Sequence, residues 1–504
     1  MADVTEPSGD GPAGSAGMRL GTPAGRWVLL ACVLGSGMAM LDSTVVNIAL
    51  SRIGADFDAS FAGLQWTINA YTLTLAGLIL LGGSLGDRFG RRRVFLTGAV
   101  WFAVASLLCG LAPSIEVLVA ARALQGVGGA LLTPGSLALI SASFHGRDRA
   151  AAIGAWSGLG GVAGALGPFV GGWLVEWNWR AVFLINLPLA AVVVLVALRH
   201  VPESRDESAA THLDVPGTVL AVAGLGALTW SLTAAGTDGA SVGVLVSGLA
   251  GVAALVAFAL VERRAPAPLV PGDLFANPRF TAANVITLLM YAALGLLFVL
   301  LVLQLQVVSG FSPLAAGTAL LPVTALMLLL SARMGALGAR IGPRIPMTVG
   351  LLVAAAGIGL MTRIGPGSSY LLDVLPAVVV FGLGLSGAVA PLTTAVLDAA
   401  DDRHAGVASG VNNAVARAAG LLAVALVPAL AGIAGDDYTD PVAFGAGFRT
   451  AMTVAAGLLL GGAALSATLL RTPRAPRAAA PVEEGRHCGV SGPRPVPRGH
   501  RRTR

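Results

Sequence analysis

Long apolar segments dominate the chain and limit the folds open to it. Hydrophobic residues make up 55% of the 504 residues and charged residues only 12%, whereas a soluble chain carries about 25% charged residues. A helix needs about 20 apolar residues to cross the hydrocarbon core of a bilayer. We therefore expect an all-α polytopic membrane protein with fourteen spans: 27–50, 64–86, 94–112, 115–140, 150–175, 180–198, 214–233, 241–262, 279–307, 313–338, 346–363, 370–397, 405–432 and 447–471.

The arginines predict how these spans cross the membrane. All 32 basic residues are arginines, and the connections richest in them should face the cytoplasm. One set of connections holds only Arg52, Arg180, Arg363 and Arg449. The alternate set holds fourteen: Arg88, Arg91, Arg92, Arg93, Arg147, Arg149, Arg199, Arg205, Arg263, Arg264, Arg279, Arg340, Arg344 and Arg403. We therefore expect a plasma-membrane protein with both termini in the cytoplasm.

The two ends of the chain are expected to be cytoplasmic tails. Residues 1–26 lack the basic start and apolar core of a cleavable signal, so the first span should direct insertion. Residues 472–504 are rich in arginine and proline, and we predict that they are disordered. Such a basic tail would be attracted to anionic lipid headgroups.

Several other functions are disfavoured by what the sequence lacks. A phosphate-binding P-loop needs a lysine, and the chain has none. The six histidines fall outside the predicted spans, and the three cysteines show no CxxC spacing, so neither a metal site nor an intramembrane hydrolase is expected. The segment 382–387 fits GxGxxG but lies inside an apolar span, where close helix packing explains it better. We expect no enzyme activity, no cofactor and no nucleic-acid partner.

A ten-residue repeat divides the chain into two halves. Six positions match between Gly83–Arg92 and Gly335–Arg344, and each copy follows the second span of a half. We therefore predict a six-helix bundle at 27–198, two inserted helices with their loops at 199–278, and a second six-helix bundle at 279–471. Paired bundles with a site between them at the bilayer midplane are typical of transporters.

The motifs around this repeat resemble one family. GSLGDRFGRRR (83–93) is similar to the loop between spans 2 and 3 of the major facilitator superfamily. Four further segments resemble motifs of its fourteen-span drug/proton antiporters: LDSTVVNIAL (41–50), RALQGVG (122–128), WRAVFLINLP (179–188) and LDVPG (213–217). After the first of these, Ser51 stands where proline is usual. The resemblance implies the major-facilitator fold and a cytoplasmic gate motif that contains Gly83, Gly86, Asp87, Arg88, Gly90, Arg91 and Arg92.

Span 5 resembles the motif that distinguishes exporters in this family. The matching residues are Gly164, Gly167, Pro168, Gly171 and Gly172, although Ala163 replaces the leading glycine. Glycines allow close helix contact, and proline removes a backbone donor, so a bend is expected. The resemblance implies that this bend sets the side to which the cavity opens. Tight packing alone is the alternative.

Asp42 and Arg122 are the candidates for proton coupling. Asp42 is the one carboxylate well inside the first six spans, where an uncompensated charge costs about 2.5–3.5 kcal/mol. At 1.5 Å per residue, Asp42 lies roughly 12 Å and Arg122 roughly 10 Å from the outer ends of their spans. We predict that Asp42 binds the exchanged proton, that protonation weakens its attraction to Arg122, and that substrate favours the deprotonated form. The alternative is a static ion pair between spans 1 and 4.

Other polar residues within the spans are candidates for lining the substrate cavity. For each, a hydrogen bond between helices is the alternative to substrate contact. These candidates are Asn47, Gln125, Gln304, Gln306, Asn412, Asn413 and Arg417.

The loop after span 2 is a candidate gate. Asp87 can accept hydrogen bonds from Arg91 and can face the positive N-terminus of a helix from the other half. Those contacts should form when the cytoplasmic side closes. Ala339 occupies the equivalent position in the second copy, so that loop should keep the positive anchor and lose the latch.

These features together favour a proton-coupled antiporter that exports amphipathic small molecules, such as antibiotics or toxic metabolites. Its partners would be the substrate, protons and the lipid bilayer, and we expect a monomer driven by the proton gradient without a cofactor. One alternative is a proton-coupled importer of a polar nutrient. Another, from a different class, is a membrane sensor that transports nothing.

Overall fold

The polytopic all-α architecture is confirmed. A computed structural model describes residues 18–205, 214–239, 241–265, 270, 272–399, 405–433 and 439–470, and these contain helices and no strand. Thirteen helices in this described part are long and apolar enough to cross a membrane. The predicted span at 150–175 lies within a further helix, Gly146–Trp177, so a count of fourteen stays a prediction. The predicted tail at 472–504 and most of the tail at 1–26 lie outside the described residues.

The first half contains seven helices because the sixth predicted span is broken at Ile185. Serine caps explain where two of them begin: Ser60 Oγ accepts a hydrogen bond from Gly63 N, and Ser114 Oγ accepts one from Val117 N. The helices are α1 (Pro23–Phe57), α2 (Phe61–Phe89), α3 (Arg91–Gly110), α4 (Ile115–Ser143), α5 (Gly146–Trp177), α6 (Ala181–Leu184) and α7 (Asn186–His200).

The inserted pair and the second half complete the chain. The inserted helices are α8 (Val215–Asp238) and α9 (Val242–Glu262). The second half contains α10 (Asp273–Ala276), α11 (Pro278–Leu303), α12 (Pro313–Thr318), α13 (Leu321–Ile341), α14 (Arg344–Met361), α15 (Leu375–Asp398), α16 (Ala405–Leu430) and α17 (Pro441–Leu469). One π-helical turn, Gln304–Val308, extends α11, and another, Tyr370–Val374, precedes α15.

The sequence repeat has a counterpart in backbone geometry. Gly90 ends α2 with φ +108°, and Gly342 follows α13 with φ +86°. Residues that carry a side chain rarely adopt positive φ values of this size, so glycine is favoured at both positions. In both copies, the helix that carries the repeat packs on a helix with an internal proline, α4 with Pro134 or α15 with Pro391. The two halves are therefore built alike around the repeat.

Several contacts between the two halves lie at the end of the bundle opposite the arginine-rich loops. We call this the arginine-poor end. Here Ser51 of α1 is hydrogen-bonded to Gln306, and Gln65 Nε2 of α2 donates to the Val424 carbonyl of α16 at 2.5 Å. Helix α5 also packs on α12 and α13, and α8 packs on both α2 and α16. The structure therefore has a packed arginine-poor end.

Candidate functional site

The structure brings Asp42 and Arg122 into direct contact. Arg122 Nη1 lies 2.5 Å from Asp42 Oδ2, and the two side chains are 1% and 0% exposed. The depth arithmetic from the sequence therefore identified two residues that meet. Their role in proton coupling stays a prediction.

Two amides complete the surroundings of the Asp42 carboxylate. Gln125 Nε2 donates to Asp42 Oδ1 at 2.8 Å, and Asn186 Nδ2 donates to the same oxygen at 3.2 Å. Both amides also donate to Ser106 Oγ, at 2.7 and 3.2 Å. The sequence analysis placed Gln125 in a substrate cavity, whereas the structure places it, fully buried, in this cluster. The sequence offered no reason to place Ser106 or Asn186 near Asp42, although Asn186 belongs to one of the quoted family motifs.

Arg122 is held by α2 and α4 as well as by Asp42. Its Nε donates to the Thr67 carbonyl at 3.0 Å, and its Nη1 also donates to Gln125 Oε1. The guanidinium lies over the Tyr71 ring, 4.2 Å from the ring centroid, an arrangement that favours the cation. The buried charge pair thus has further hydrogen-bonding partners on three helices, α2, α4 and α7, which such a pair needs in order to persist in an apolar core.

The donors around Asp42 are matched to the ionised carboxylate. All three partners present N–H groups, and a carboxylate is purely an acceptor. A protonated carboxyl group carries an O–H that needs an acceptor. Rotating the Gln125 amide to offer Oε1 would turn its Nε2 toward Arg122, which is also a donor. Rotating the Asn186 amide instead would offer its Oδ1 atom, which is buried without a partner. Protonation therefore removes the charge that pairs with Arg122 and requires the donors around Asp42 to rearrange.

A cavity of about 260 Å³ lies between the two halves. Ser43, Thr44 and Asn47 line it from α1, immediately after Asp42, and the Asn47 Oδ1 atom is buried without a hydrogen-bond partner. The structure thus places Asn47 in the cavity, as the sequence analysis expected. The remaining lining residues are mostly apolar: Ile48, Gly164, Pro168, Phe298, Val302, Gly317, Leu320, Val323, Thr324 and Met327.

The glycines of α5 lie where three helices meet. A Cβ at Gly167 would be 2.0 Å from Thr44 Oγ1 of α1, and one at Gly171 would be 3.0 Å from Val45 Cα. A Cβ at Gly172 would be 2.6 Å from Leu314 Cα of α12, in the other half. A Cβ at Gly164 would meet nothing within 4 Å. The motif therefore packs α5 against α1 on one side and against the second half on the other.

Three cavity candidates form hydrogen bonds between segments. Gln304 Nε2 donates to the Ile364 carbonyl at 2.8 Å, and Gln306 Nε2 donates to the Ile48 carbonyl across the halves at 3.1 Å. Asn412 Nδ2 donates to Thr287 Oγ1 at 2.7 Å and to Asn284 Oδ1 at 3.1 Å. Of the two alternatives for these residues, substrate contact or a hydrogen bond between segments, the structure shows the hydrogen bond for all three.

Asn413 and Arg417 form a pair on one face of α16. Arg417 Nε donates to Asn413 Oδ1 at 3.2 Å. Neither residue lines the cavity of about 260 Å³.

The gate motif contains the expected ion pair and an unexpected partner. Asp87 Oδ1 lies 2.7 Å from Arg91 Nη2. Glu203, in the loop after α7, accepts from Arg92 N at 3.0 Å, and Ser204 O accepts from Arg91 N at 2.8 Å. Among the described residues, Asp87 has no hydrogen bond to the second half, so its proposed latch is not engaged here. The sequence offered no signal for Glu203 because it lies in a separate loop.

The side chain of Ala339, in the second copy of this motif, lies outside the part that the structure describes.

Comparison with known proteins identifies the family. Residues 32–424 match the model of the Major Facilitator Superfamily. The chain is 36% identical to the puromycin resistance protein of Streptomyces alboniger, over 91% of this chain and 93% of that one. It is 37% identical to the tetracenomycin C resistance and export protein of Streptomyces glaucescens, over 86% and 81%.

Solved structures support the same fold. A bacterial homologue of the lysosomal transporter Spinster, in an inward-facing and occupied conformation, matches with a TM-score of 0.61 at 18% identity, over 88% of this chain and 96% of that one. The POT family transporter PepTSo matches with a TM-score of 0.63 at 14% identity, over 88% of this chain and 97% of that one. The resemblance seen in the sequence motifs is confirmed. The chain belongs to the Major Facilitator Superfamily and is a multi-pass membrane transporter of small molecules, not an enzyme.

Proposed function

We propose that this transporter is a proton-coupled antiporter that exports amphipathic small molecules by alternating access. Several of its relatives are named as resistance or export proteins for antibiotics, including tetracenomycin C and methylenomycin A. The largely apolar cavity between the halves suits amphipathic molecules. In this proposal the proton gradient supplies the energy without a cofactor, and the protein works as a monomer.

The observation that carries the proposal is the Asp42 cluster. Asp42 is fully buried, and Arg122, Gln125 and Asn186 direct N–H groups at its two oxygens. A static pair would need only Arg122. Three donors suit the ionised carboxylate, and protonation would remove the charge paired with Arg122 and require the amides to rearrange, so we infer two distinct states of the site. Such a bistable element is what coupling requires.

The path from proton to substrate is short. Ser43 and Thr44 follow Asp42 directly on α1 and line the cavity. When Asp42 is ionised, the cluster holds α1 against α4 and α7. When Asp42 is protonated, that hold weakens and the cavity wall is free to move. Substrate that needs the ionised arrangement therefore expels the proton, and the returning proton expels the substrate.

The arginine-rich end is proposed to be cytoplasmic. The packed arginine-poor end would then face the outside. In an exporter, substrate from the cytoplasm should bind when the proton has left Asp42. Both termini would lie in the cytoplasm.

The test uses purified protein in liposomes with an imposed proton gradient. Efflux hits are first found by screening toxic compounds in an efflux-deficient host. We expect Asp42→Asn to abolish proton-driven accumulation of the hit while the protein still inserts and binds it. The matched control is Asp56→Asn, since Asp56 forms an exposed ion pair with Arg180 at the arginine-poor end, at 2.8 Å. If Asp42→Asn still drives uphill transport from the proton gradient, the coupling role is wrong.

A further inference from the structure

Arg417 is a cation near the midpoint of α16 that the Asp42 cluster does not use. The hydrogen bond described for its side chain runs to the neutral Oδ1 atom of Asn413, on the same helix. Within the described residues, no carboxylate lies in ion-pair range of Arg417, whereas Asp42 neutralises Arg122. An unpaired arginine inside a membrane span is costly and is usually functional.

The helix geometry shows where Arg417 points. Gly410, Arg417 and Val424 are spaced seven residues apart, so they lie along one face of α16. A Cβ at Gly410 would be 3.0 Å from Leu80, and the Val424 carbonyl accepts from Gln65. Leu80 and Gln65 both belong to α2. The face that carries Arg417 is therefore turned toward the first half and away from lipid.

Tyrosines from both halves lie near this part of α16. A Cβ at Gly420, one turn from Arg417, would be 3.7 Å from the Tyr291 carbonyl oxygen of α11, and Tyr71 of α2 lies within electrostatic range of the Arg417 charge. Tyr71 is already committed, since its ring lies under Arg122 and its hydroxyl donates to the Ala39 carbonyl. The Arg417 side chain is only half-buried in the protein. A planar fork of N–H donors between the two halves suits the oxygens of an amphipathic anion.

We propose that Arg417 binds the anionic group of the exported molecule, so that the transporter favours amphipathic carboxylates, sulfonates or phenolates over cations. This inference rests on the proposed export function and names its substrate class. The anion supplies the negative charge that would neutralise Arg417, while its apolar part lies between the two halves. An amphipathic cation would meet a site in which one positive charge is already uncompensated.

The test compares two xanthene dyes of opposite charge, fluorescein and rhodamine 6G. Binding to the purified full-length protein is measured by fluorescence anisotropy. We expect the wild type to bind fluorescein more tightly than rhodamine 6G. Arg417→Gln should weaken fluorescein binding by about tenfold or more, because it removes charge-assisted hydrogen bonds, and should leave rhodamine 6G binding equal or tighter. Arg417→Lys keeps the charge without the fork, so its fluorescein affinity should be intermediate.

The matched control is Arg333→Gln, which removes an exposed arginine within α13 and should leave both affinities unchanged. The anion site is wrong if the wild type binds neither dye or prefers rhodamine 6G, or if Arg417→Gln changes both affinities equally. Should Arg417→Gln fail to fold, Arg417→Lys takes its place: weaker fluorescein binding with unchanged rhodamine 6G binding supports the anion site, and equal changes in both affinities, or none, contradict it.

Transport in liposomes separates this inference from the proposed function. If fluorescein binds through Arg417 but is not moved by a proton gradient, export is wrong and the anion site stands. If a proton gradient drives export that Arg417→Gln does not alter for either dye, the anion site alone is wrong.

Discussion

Replacing Gly172 by alanine should open the arginine-poor end. The new Cβ would lie 2.6 Å from Leu314 Cα and 2.9 Å from the Pro313 carbonyl oxygen. Both are backbone atoms, so no side chain can swing away, and α5 must separate from α12 by about 1 Å. Overpacking of this kind costs about 1–3 kcal/mol. The cost falls only on the conformation in which the two helices touch, so the population should shift away from it by about 5- to 150-fold.

Thiol accessibility measures that shift. The background carries serine at Cys32, Cys109 and Cys488, and a single cysteine replaces the cavity residue Thr324. A membrane-impermeant thiol reagent is then applied to the outer face of right-side-out vesicles. Gly172→Ala should raise the labelling rate by about the factor that its population shift predicts.

The control for this experiment lies on the same helix. A Cβ at Gly154 would meet nothing within 4 Å, so Gly154→Ala should label at the parent rate. Two results would refute the reasoning. One is an unchanged rate for Gly172→Ala, and the other is an equal increase for Gly154→Ala, which would point to a general effect of alanine on α5.

Three further predictions concern the two ends of the bundle. Gln306→Leu removes two hydrogen bonds between the halves and should destabilise the packed arginine-poor end by about 1 kcal/mol. Labelling of the same cysteine from the outer face should then be about fivefold faster, and slower labelling would contradict this. Asp87→Asn should reduce initial efflux rates in vesicles much more than Ala339→Asp, and equal effects would mean that the loop is only an anchor. Glu203→Gln removes a charge at the first turn of α3, so we expect a loss of about 0.3–1 kcal/mol, seen as a lower thermal unfolding midpoint in detergent at low salt and not at high salt.

The architecture was predictable because membrane spans are read from composition and length. The Asp42–Arg122 contact was predictable for a related reason: a charge in a span is rare, and rise per residue converts chain position into depth. The repeat also held structural information, since Gly90 and its copy Gly342 both adopt positive φ.

The rest of the cluster could not be predicted from the sequence. Ser106 and Asn186 are short polar residues of a kind that occurs in many apolar spans, and depth alone does not fix which face of a helix they occupy. Gln125 is a cavity candidate because it is a polar residue within a span, and the sequence does not distinguish contact with substrate from a hydrogen bond between helices. Glu203 reaches the gate loop through a tertiary contact that no local pattern encodes.

The packing of α1 explains how a proton at Asp42 can alter a contact at the arginine-poor end. On one side, α1 is held by the Asp42 cluster, which protonation weakens. On the other, Gly167 and Gly171 of α5 lie so close to Thr44 and Val45 that no side-chain volume separates the two helices. Interfaces packed this tightly transmit displacement instead of absorbing it. In the proposed mechanism, release of α1 from α4 would therefore carry α5 with it, and α5 is the helix that meets the second half at Gly172.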